Sequence, residues 1–401
     1  MVSIGIDVSK GKSTVCFLKP YGEVLHKPFE VQHTEKELKA LVEMINTLSE
    51  EARVVMESTG AYHYPVLACL KEQGIFVSVI NPLVMSKYAN MAIRKGKTDK
   101  LDTIKIANFG LDHCFRLVDY TPSTDVYDEL KVLNRQYLSY ISMRIRAKQT
   151  LTNLLDRTMP GIKTQLLNRS DVPDRDKLCD FVKEYWHFDN ITCMSEAEFI
   201  TNYNNWAKKQ GYQASTEKAK KIYALALEGI PTLPSSTPST KMLVLEAVKA
   251  LHMIDTTLAL ILAQMRDLAK SLKEYDTVMA MPGVGEILGP RLIAEIGDIG
   301  RFYSSSALVA YAGLDAPPFQ SGNYIAANRN ISKRGSASLR RTGYEVMRFL
   351  KIAKPIKDNA VYLYMIKKEN EGKPRKVAKI AALNKFLRIY YARVKEVYSL
   401  V

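Results

Sequence analysis

The sequence predicts a mixed α/β N-terminal domain over residues 1–115, a long helical, coiled-coil middle over 116–274 and a mainly helical C-terminal domain over 275–401. Three observations predict this. Short runs rich in Val and Ile, bounded by Gly, Pro and Asn, alternate with amphipathic stretches as far as about residue 109. From residue 126 apolar residues recur every three or four positions over long segments. Beyond residue 275, glycine turns and clustered arginines punctuate shorter helical stretches.

Strands are expected at 2–8, 14–18, 24–31, 53–57 and 75–80, with helices at 35–48, at 62–73 and on to about 109. The order β-β-β-α-β-α-β-α is that of a ribonuclease H-like domain, a three-stranded meander extended by parallel strands through helical crossovers. In that order Asp7 lies late in the first strand, and Glu57 is the last residue of the fourth, its neighbour in the sheet. Thr98 is placed to cap a helix whose first turn carries Asp99 and Asp102 on one side. Alone, such an aspartate pair is more often capping and dipole chemistry on a solvated face. With Asp7 and Glu57 beside it, four carboxylates from three elements meet at one point. Their repulsion makes sense only with cations bound. Hard oxygen ligands suit magnesium, with manganese as a substitute. Two such ions about 4 Å apart activate the attacking oxygen and stabilise the leaving oxygen of a phosphodiester.

Two other readings of this region are weighed against it. Five residues separate Gly5 from Gly11 where a P-loop needs four, and 14–18 continues as strand. An actin- or sugar-kinase-like site would want a glycine shortly after Asp7, where the sequence has Val8-Ser9-Lys10.

In the middle, an apolar stripe from Val126 to Leu155 predicts one long helix with Lys131, Arg135, Arg144, Arg146 and Lys148 on its other faces. Residues 162–240 read as a helical insertion, ending in a Pro-, Ser- and Thr-rich linker at 228–240. From Val244 through Leu251, Leu258 and Met265 to Leu272, spacings of three and four repeat over four heptads, the pattern of a coiled coil. Such a stripe can seal against the earlier helix or pair between chains. A helical arm contributing to an oligomer is the favoured expectation.

Met281-Pro282-Gly283-Val284-Gly285, between two helical stretches, resembles a helix-hairpin-helix, in which Gly283 and Gly285 bring backbone N–H groups close to a phosphate. Arg329, Lys333, Arg334, Arg340 and Arg341 follow with hardly an acid among them and suit phosphate contacts. Ser321 lies in a loop between a packed helix and this cluster, where a lone Ser-Gly is usually a turn. The last segment, 374–401, reads as a basic scaffold helix.

Composition agrees with a polyanionic partner. A hydrophobic content of 47% and a charged content of 25% are ordinary, but the formal net charge of +15 is not, and nucleic acid is the commonest polyanion. Five scattered cysteines, never spaced C-x-x-C, argue against a disulfide framework and fit a reducing cytoplasm. No leader pattern opens the sequence and no apolar run reaches the roughly 18 residues of a membrane span, so a cytoplasmic protein away from membranes is expected.

IGIDVSK with Asp7, VVMESTGAY with Glu57, VINP at 79–82, KTDKLD with Asp99 and Asp102, MPGVG, LVAYAGL, and Ser321-Gly322 followed by KRGSASLRR occur in one order. Together they resemble the DEDD transposases of bacterial insertion sequences, the recombinases guided by a bridge RNA. The resemblance covers roughly 1–115 and 275–350. It implies a RuvC-like domain whose magnesium ligands fall on Asp7, Glu57, Asp99 and Asp102, and a C-terminal transposase domain whose serine nucleophile falls on Ser321. It further implies donor and target DNA, a structured noncoding RNA paired with both, and an oligomer of two to four subunits with a site shared between them. Two other readings stand beside it: a metal-dependent nuclease or junction resolvase using water, with Ser321 incidental, and a non-enzymatic nucleic-acid scaffold, against which all four carboxylates are present.

Overall fold

The computed structural model describes residues 1–401 apart from 59, 90–97, 121–124, 167–175, 318–319, 322–323, 326–329 and 400–401; for 125, 320, 321, 324 and 325 it describes the backbone alone. The chain divides into two compact units, Met1–Pro122 and Ser123–Val401.

In the first unit, β1 (Val2–Val8), β2 (Lys12–Leu18) and β3 (Val24–Gln32) form an antiparallel meander. β4 (Ala52–Glu57) runs parallel to β1, and β5 (Val77–Ile80) parallel to β4, giving the order β3-β2-β1-β4-β5. This is the ribonuclease H order that the sequence predicts. Among the described residues, the α-helices α1 (Glu35–Asn46), α2 (Tyr64–Glu72), α3 (Pro82–Ala89) and α4 (Asp99–Asp112) accompany the sheet.

Strand alternation sorts the two faces. Val2, Ile4, Ile6 and Val8, with Val54 and Met56, join Leu38, Leu41, Val66 and Leu67 of α1 and α2 in one core. On the other face Val55 meets Ile106 and Phe109 of α4, and Cys16 and Leu18 meet Ala107. Each such fully buried aliphatic side chain contributes about 1.5–3 kcal/mol. The sheet is thus covered on both faces, and Asp7 and Glu57 fall in the alternation phase of the α4 face.

The second unit is built on two long helices, α5 (Asp125–Thr158) and the later α11 (Pro238–Lys270). Between them lie α6 (Ile162–Leu166), α7 (Lys177–Glu184), α8 (Asp189–Thr192), α9 (Glu196–Lys209) and α10 (Thr216–Glu228). Leu151 and Leu155 of α5 share a core with Val244, Val248 and Leu251 of α11 and with Phe181, Phe199, Tyr203 and Trp206 of the insertion. Tyr127, Leu130 and Tyr137 share another with Ile254, Leu258, Leu262 and Met265. The two helices therefore run antiparallel, with Arg144 paired to Asp255 near their middle. Of the two partners open to the heptad stripe, the structure shows α5 of the same chain. The linker expected at 228–240 shrinks to 229–237, because Pro238 opens α11, where a missing N–H is harmless.

α12 (Tyr275–Met279), α13 (Leu288–Ile296), α14 (Ser305–Tyr311), the short strands β6 (Gln320–Ser321) and β7 (Tyr324–Ile325), α15 (Ala337–Ala353), α16 (Ala360–Asn370) and α17 (Arg375–Ser399) complete the chain. The apolar faces of these helices join the core that holds Tyr127 and Ile254. The boundary expected at 274/275 falls inside that core. Among the described residues, no helix is long and apolar enough to cross a membrane.

Candidate active site and nucleic-acid interface

Ile6–Met56 is the last ladder pair between β1 and β4. Asp7 and Glu57, the next residues, therefore stand side by side at the carboxyl ends of neighbouring parallel strands, both half-buried. Gly5 lets α4 lie directly on β1: a Cβ there would stand 2.4 Å from the Thr103 carbonyl oxygen and 2.6 Å from the Ala107 nitrogen. Further along, the Cβ position of Gly110 is 2.2 Å from Ser3 Oγ and 2.8 Å from Val55 Cγ2. The helix thus runs against the direction of β1, and its first turn lies toward the end that carries Asp7.

That first turn is capped. Thr98 is extended, and its Oγ1 accepts the Leu101 N–H at 3.2 Å. Asp99 is one turn before Thr103, whose hydroxyl donates to the carbonyls of Asp99 at 2.7 Å and of Thr14, on β2, at 3.4 Å. Asp102 lies in the row of Ile106 and Phe109, which pack toward Val55 on β4. Both aspartates of this turn have a lysine near them. Lys105 Nζ is 2.7 Å from Asp102 Oδ1. The hydrogen bond from Lys12 to Glu30, and more weakly the charge of Asp99, raise Lys12 above the ordinary lysine range. A cleft of about 640 Å³ opens beside Asp99, lined by Thr14, Phe29, Glu30 and Lys100 among others.

The donor chemistry fits a hard divalent cation, and the backbones bring the four carboxylates to one face and one end of the sheet. Among the described residues, no three acidic, His or Cys groups are arranged to hold a metal ion. Asp102 is turned to Lys105.

In the second unit, Gly283 has φ +84°, and its Cβ would stand 2.9 Å from Leu350 Cβ and from the Val346 carbonyl oxygen on α15. Of the two glycines expected to approach a phosphate, this one faces the core. Gly285 is exposed, with open space at its Cβ, and its carbonyl accepts the first N–H groups of α13, from Leu288 and Gly289. Ser321 is in β6, paired with Tyr324 in β7, where a loop was expected. Arg329 lies outside the described residues. Lys333 and Arg334 are exposed. Arg341 is exposed, its Nε 3.5 Å from Glu345. Arg340 is engaged by the fold: Nη1 donates to the Ala312 carbonyl at 2.9 Å and the Gly335 carbonyl at 3.4 Å.

Comparison with known proteins gives these residues a context. A family model for DEDD transposases of the IS110 type matches residues 4–160, and one described as the transposase IS116/IS110/IS902 family matches 275–360. The chain belongs to the IS110/IS116 transposase family. Among its relatives, an uncharacterized 44.8 kDa protein of insertion element IS116 from Streptomyces clavuligerus is 23% identical over 80% of this chain and 77% of its own. The pilin gene-inverting protein of Moraxella lacunata is 23% identical over 98% of this chain and 95% of its own. Thermus thermophilus RuvC is 16% identical over 28% of this chain and 95% of its own, with a TM-score of 0.23. This chain is a DNA transposase/recombinase enzyme.

The transposase also carries charged groups that the sequence left unassigned. Around the α16–α17 turn, Glu369 and Glu371 pair with Lys351 and Lys368 at 2.5 and 2.7 Å. Lys367, Lys373, Arg375 and Lys376 make no ion pair among the described residues and are exposed. The stretch KKENEGKPRK was the signal for this surface. Within α13, Arg291 and Glu295 are 4% and 2% exposed. Glu295 accepts from Asn134 at 2.7 Å and Ser336 at 3.0 Å, and Arg291 donates to Glu345 at 2.9 Å and Thr342 at 3.3 Å. Buried charges require such partners, and this pair ties α5, α13 and α15 together. An Arg and a Glu four apart in an otherwise apolar helix was the overlooked sign.

Proposed function

We propose that this transposase cuts and rejoins DNA strands through Ser321, with Asp7, Glu57, Asp99 and Asp102 holding magnesium. The observation that supports it best is the placement of those four carboxylates on one face and one end of a ribonuclease H-like sheet. Ser321 Oγ attacks the scissile phosphorus. An Oγ–P bond forms as the bond to the leaving sugar oxygen breaks; the serine gives up its proton, and the leaving oxygen takes one up. The phosphoserine conserves the energy of the broken bond, so a strand hydroxyl reverses the step and rejoins DNA without ATP. A magnesium ion, when bound, supplies charge stabilisation to the transition state. The family resemblance carries the remaining parts: a bridge RNA that pairs with donor and target DNA, and a site shared between subunits. Delegating sequence choice to RNA pairing suits a basic protein that reads backbone. Lys333, Arg334, Arg341 and the exposed cations of the α16–α17 turn are the phosphate contacts of this reading.

The test is a denaturing gel of labelled element-end DNA incubated with the protein, magnesium and RNA copurified from the native host. A covalent DNA–protein adduct that disappears in Ser321→Ala is expected. Cleaved DNA without an adduct would replace the serine by water. No cleavage at all would overturn the proposed mechanism.

A further inference from the structure

Between α15 and α16 the chain presents an apolar tip among cations. Ile356 is 91% exposed, and Phe349 and Ile352, near the end of α15, are 54% and 74% exposed. Lys354 and Lys357 flank Pro355-Ile356 directly, and Arg348 precedes Phe349. These three cations are exposed and make no ion pair among the described residues. Asp358 is the one acid between Glu345 and Glu369. Its carboxylate is taken up by Arg393 of α17, whose Nη1 and Nη2 donate to it at 2.7 and 2.8 Å.

The backbone under this tip is held in place. Lys354 ends α15 in the left-handed region at φ +44°, its N–H on the Leu350 carbonyl at 3.2 Å. Asp358 lies in the same region at φ +48°. Residues other than glycine adopt it rarely, so two within five residues persist only because surrounding bonds hold them. Asn359 Nδ2 supplies one such bond, donating to the Ile356 carbonyl at 2.9 Å. The Arg393 fork supplies another, tying the far side of the loop to α17. Pro355 fixes its own φ. What this rigid loop offers to the outside is the side chain of Ile356.

A cluster of exposed apolar side chains marks a contact surface, and the charges decide its kind. The centres of protein interfaces are depleted in lysine, whereas here cations border the apolar tip on both sides. A polyanion with an apolar interior matches both features, and stacked bases behind phosphates are that.

We infer that Pro355-Ile356 is a wedge that enters duplex DNA between two stacked base pairs, with Lys354 and Lys357 on the adjacent phosphates. Apolar side chains inserted in this way unstack a base step and kink the duplex by roughly 20–90°. The deformation is cheapest at pyrimidine–purine steps and at mismatches. The inference rests on the part of the proposed function that makes duplex DNA the partner, and on neither Ser321 nor the carboxylates. Unstacking next to the bound protein suits an enzyme that exchanges strands.

The experiment mixes the full chain with a duplex of about 30 base pairs that carries a fluorophore pair at its ends and 2-aminopurine at a central TA step. Wild type is expected to bring the ends together and to raise the 2-aminopurine fluorescence. It should bind the same duplex with a central mismatch at least about tenfold more tightly. Ile356→Ala is expected to lose the bend, the fluorescence rise and this preference while keeping the wild-type salt slope. Ile356→Leu, which is still an apolar wedge, should keep all three. Replacing Lys354 and Lys357 together by Gln should lower the log–log salt slope by about 1.8. Ile356 is exposed, so its replacement leaves the fold intact. An Ile356→Ala protein that bends and unstacks DNA as wild type does overturns the inference. If that variant also sediments as a smaller species, the tip is a contact between copies of the chain. Wild type that binds the duplex without bending it overturns the wedge alone. Wild type that binds no duplex overturns the wedge together with the DNA contacts of the proposed function.

Discussion

A Cβ on Gly5 would stand 2.4 Å from the carbonyl oxygen of Thr103, so β1 and α4 meet backbone to backbone. This approach sets the depth at which the first turn of α4, with Asp99 and Asp102, sits over the Asp7 end of the sheet. Backbone cannot swing aside as a lysine tip does. Any side chain at position 5 therefore lifts the helix, and the carboxylates with it. Gly5→Val is expected to destabilise the protein by about 1–3 kcal/mol, the usual cost of overpacking, and to stop strand cleavage in the molecules that remain folded. Urea unfolding and the gel assay measure the two effects. Unchanged stability with full cleavage would mean that α4 does not position the carboxylates.

Asp102 gives a cleaner separation of chemistry from folding. It pairs with Lys105, three residues on, and both side chains are more than a quarter exposed. Such pairs contribute less than about 1 kcal/mol. Asp102→Asn should leave the melting temperature nearly unchanged while removing cleavage and weakening magnesium binding in a calorimetric titration. Cleavage at the wild-type rate would take Asp102 out of the site.

How much of this was legible in the sequence follows from which interactions are local. The strand order could be read because β-branched runs and their turn residues are local, and so is the Thr98 cap three residues before its N–H donor. Heptad spacing in α11 announced a buried stripe. It did not say whether α5 or a second chain would cover it, since both offer the same apolar surface. The same limit applies to Arg340 and Gly283. An arginine donates equally well to carbonyls or to phosphate, and a glycine permits close approach to either a ligand or a helix. Only the distances to Ala312 and Leu350, fixed by tertiary packing, tell them apart.

The exposed cations of the α16–α17 turn make a quantitative prediction. Replacing Lys367, Lys373, Arg375 and Lys376 together by Gln should lower duplex DNA affinity and flatten its dependence on salt. Removing one cation from a phosphate reduces the log–log slope by about 0.9, so four such cations account for about 3.6. The weakening should be the same for unrelated DNA sequences, since phosphates carry no sequence information. An unchanged slope would return this surface to the role of scaffold.

The sheet edge next to Glu57 is tied down by a carboxylate. Asp119 accepts from Lys71 of α2 at 2.8 Å and from the Val77 N–H that opens β5 at 2.9 Å. β5 in turn pairs with β4 through Glu57–Ile80. Burial would raise the Asp119 carboxyl, but the Lys71 ammonium and the N–H outweigh it and hold it below the ordinary carboxylate range. A folded value below the unfolded one gives stability that is fully present above about pH 4 and is lost as pH falls through the folded value. With 44% of the side chain exposed, solvent screening keeps the contribution to that of a surface pair, under about 1 kcal/mol. Asp119→Asn should therefore be slightly less stable than wild type at pH 7, and the gap should close toward pH 2. Chemical denaturation at the two pH values measures it. A gap of the same size at both would mean that Asp119 acts through the shape of its hydrogen bond to Val77, which Asn retains only in part, and not through its charge.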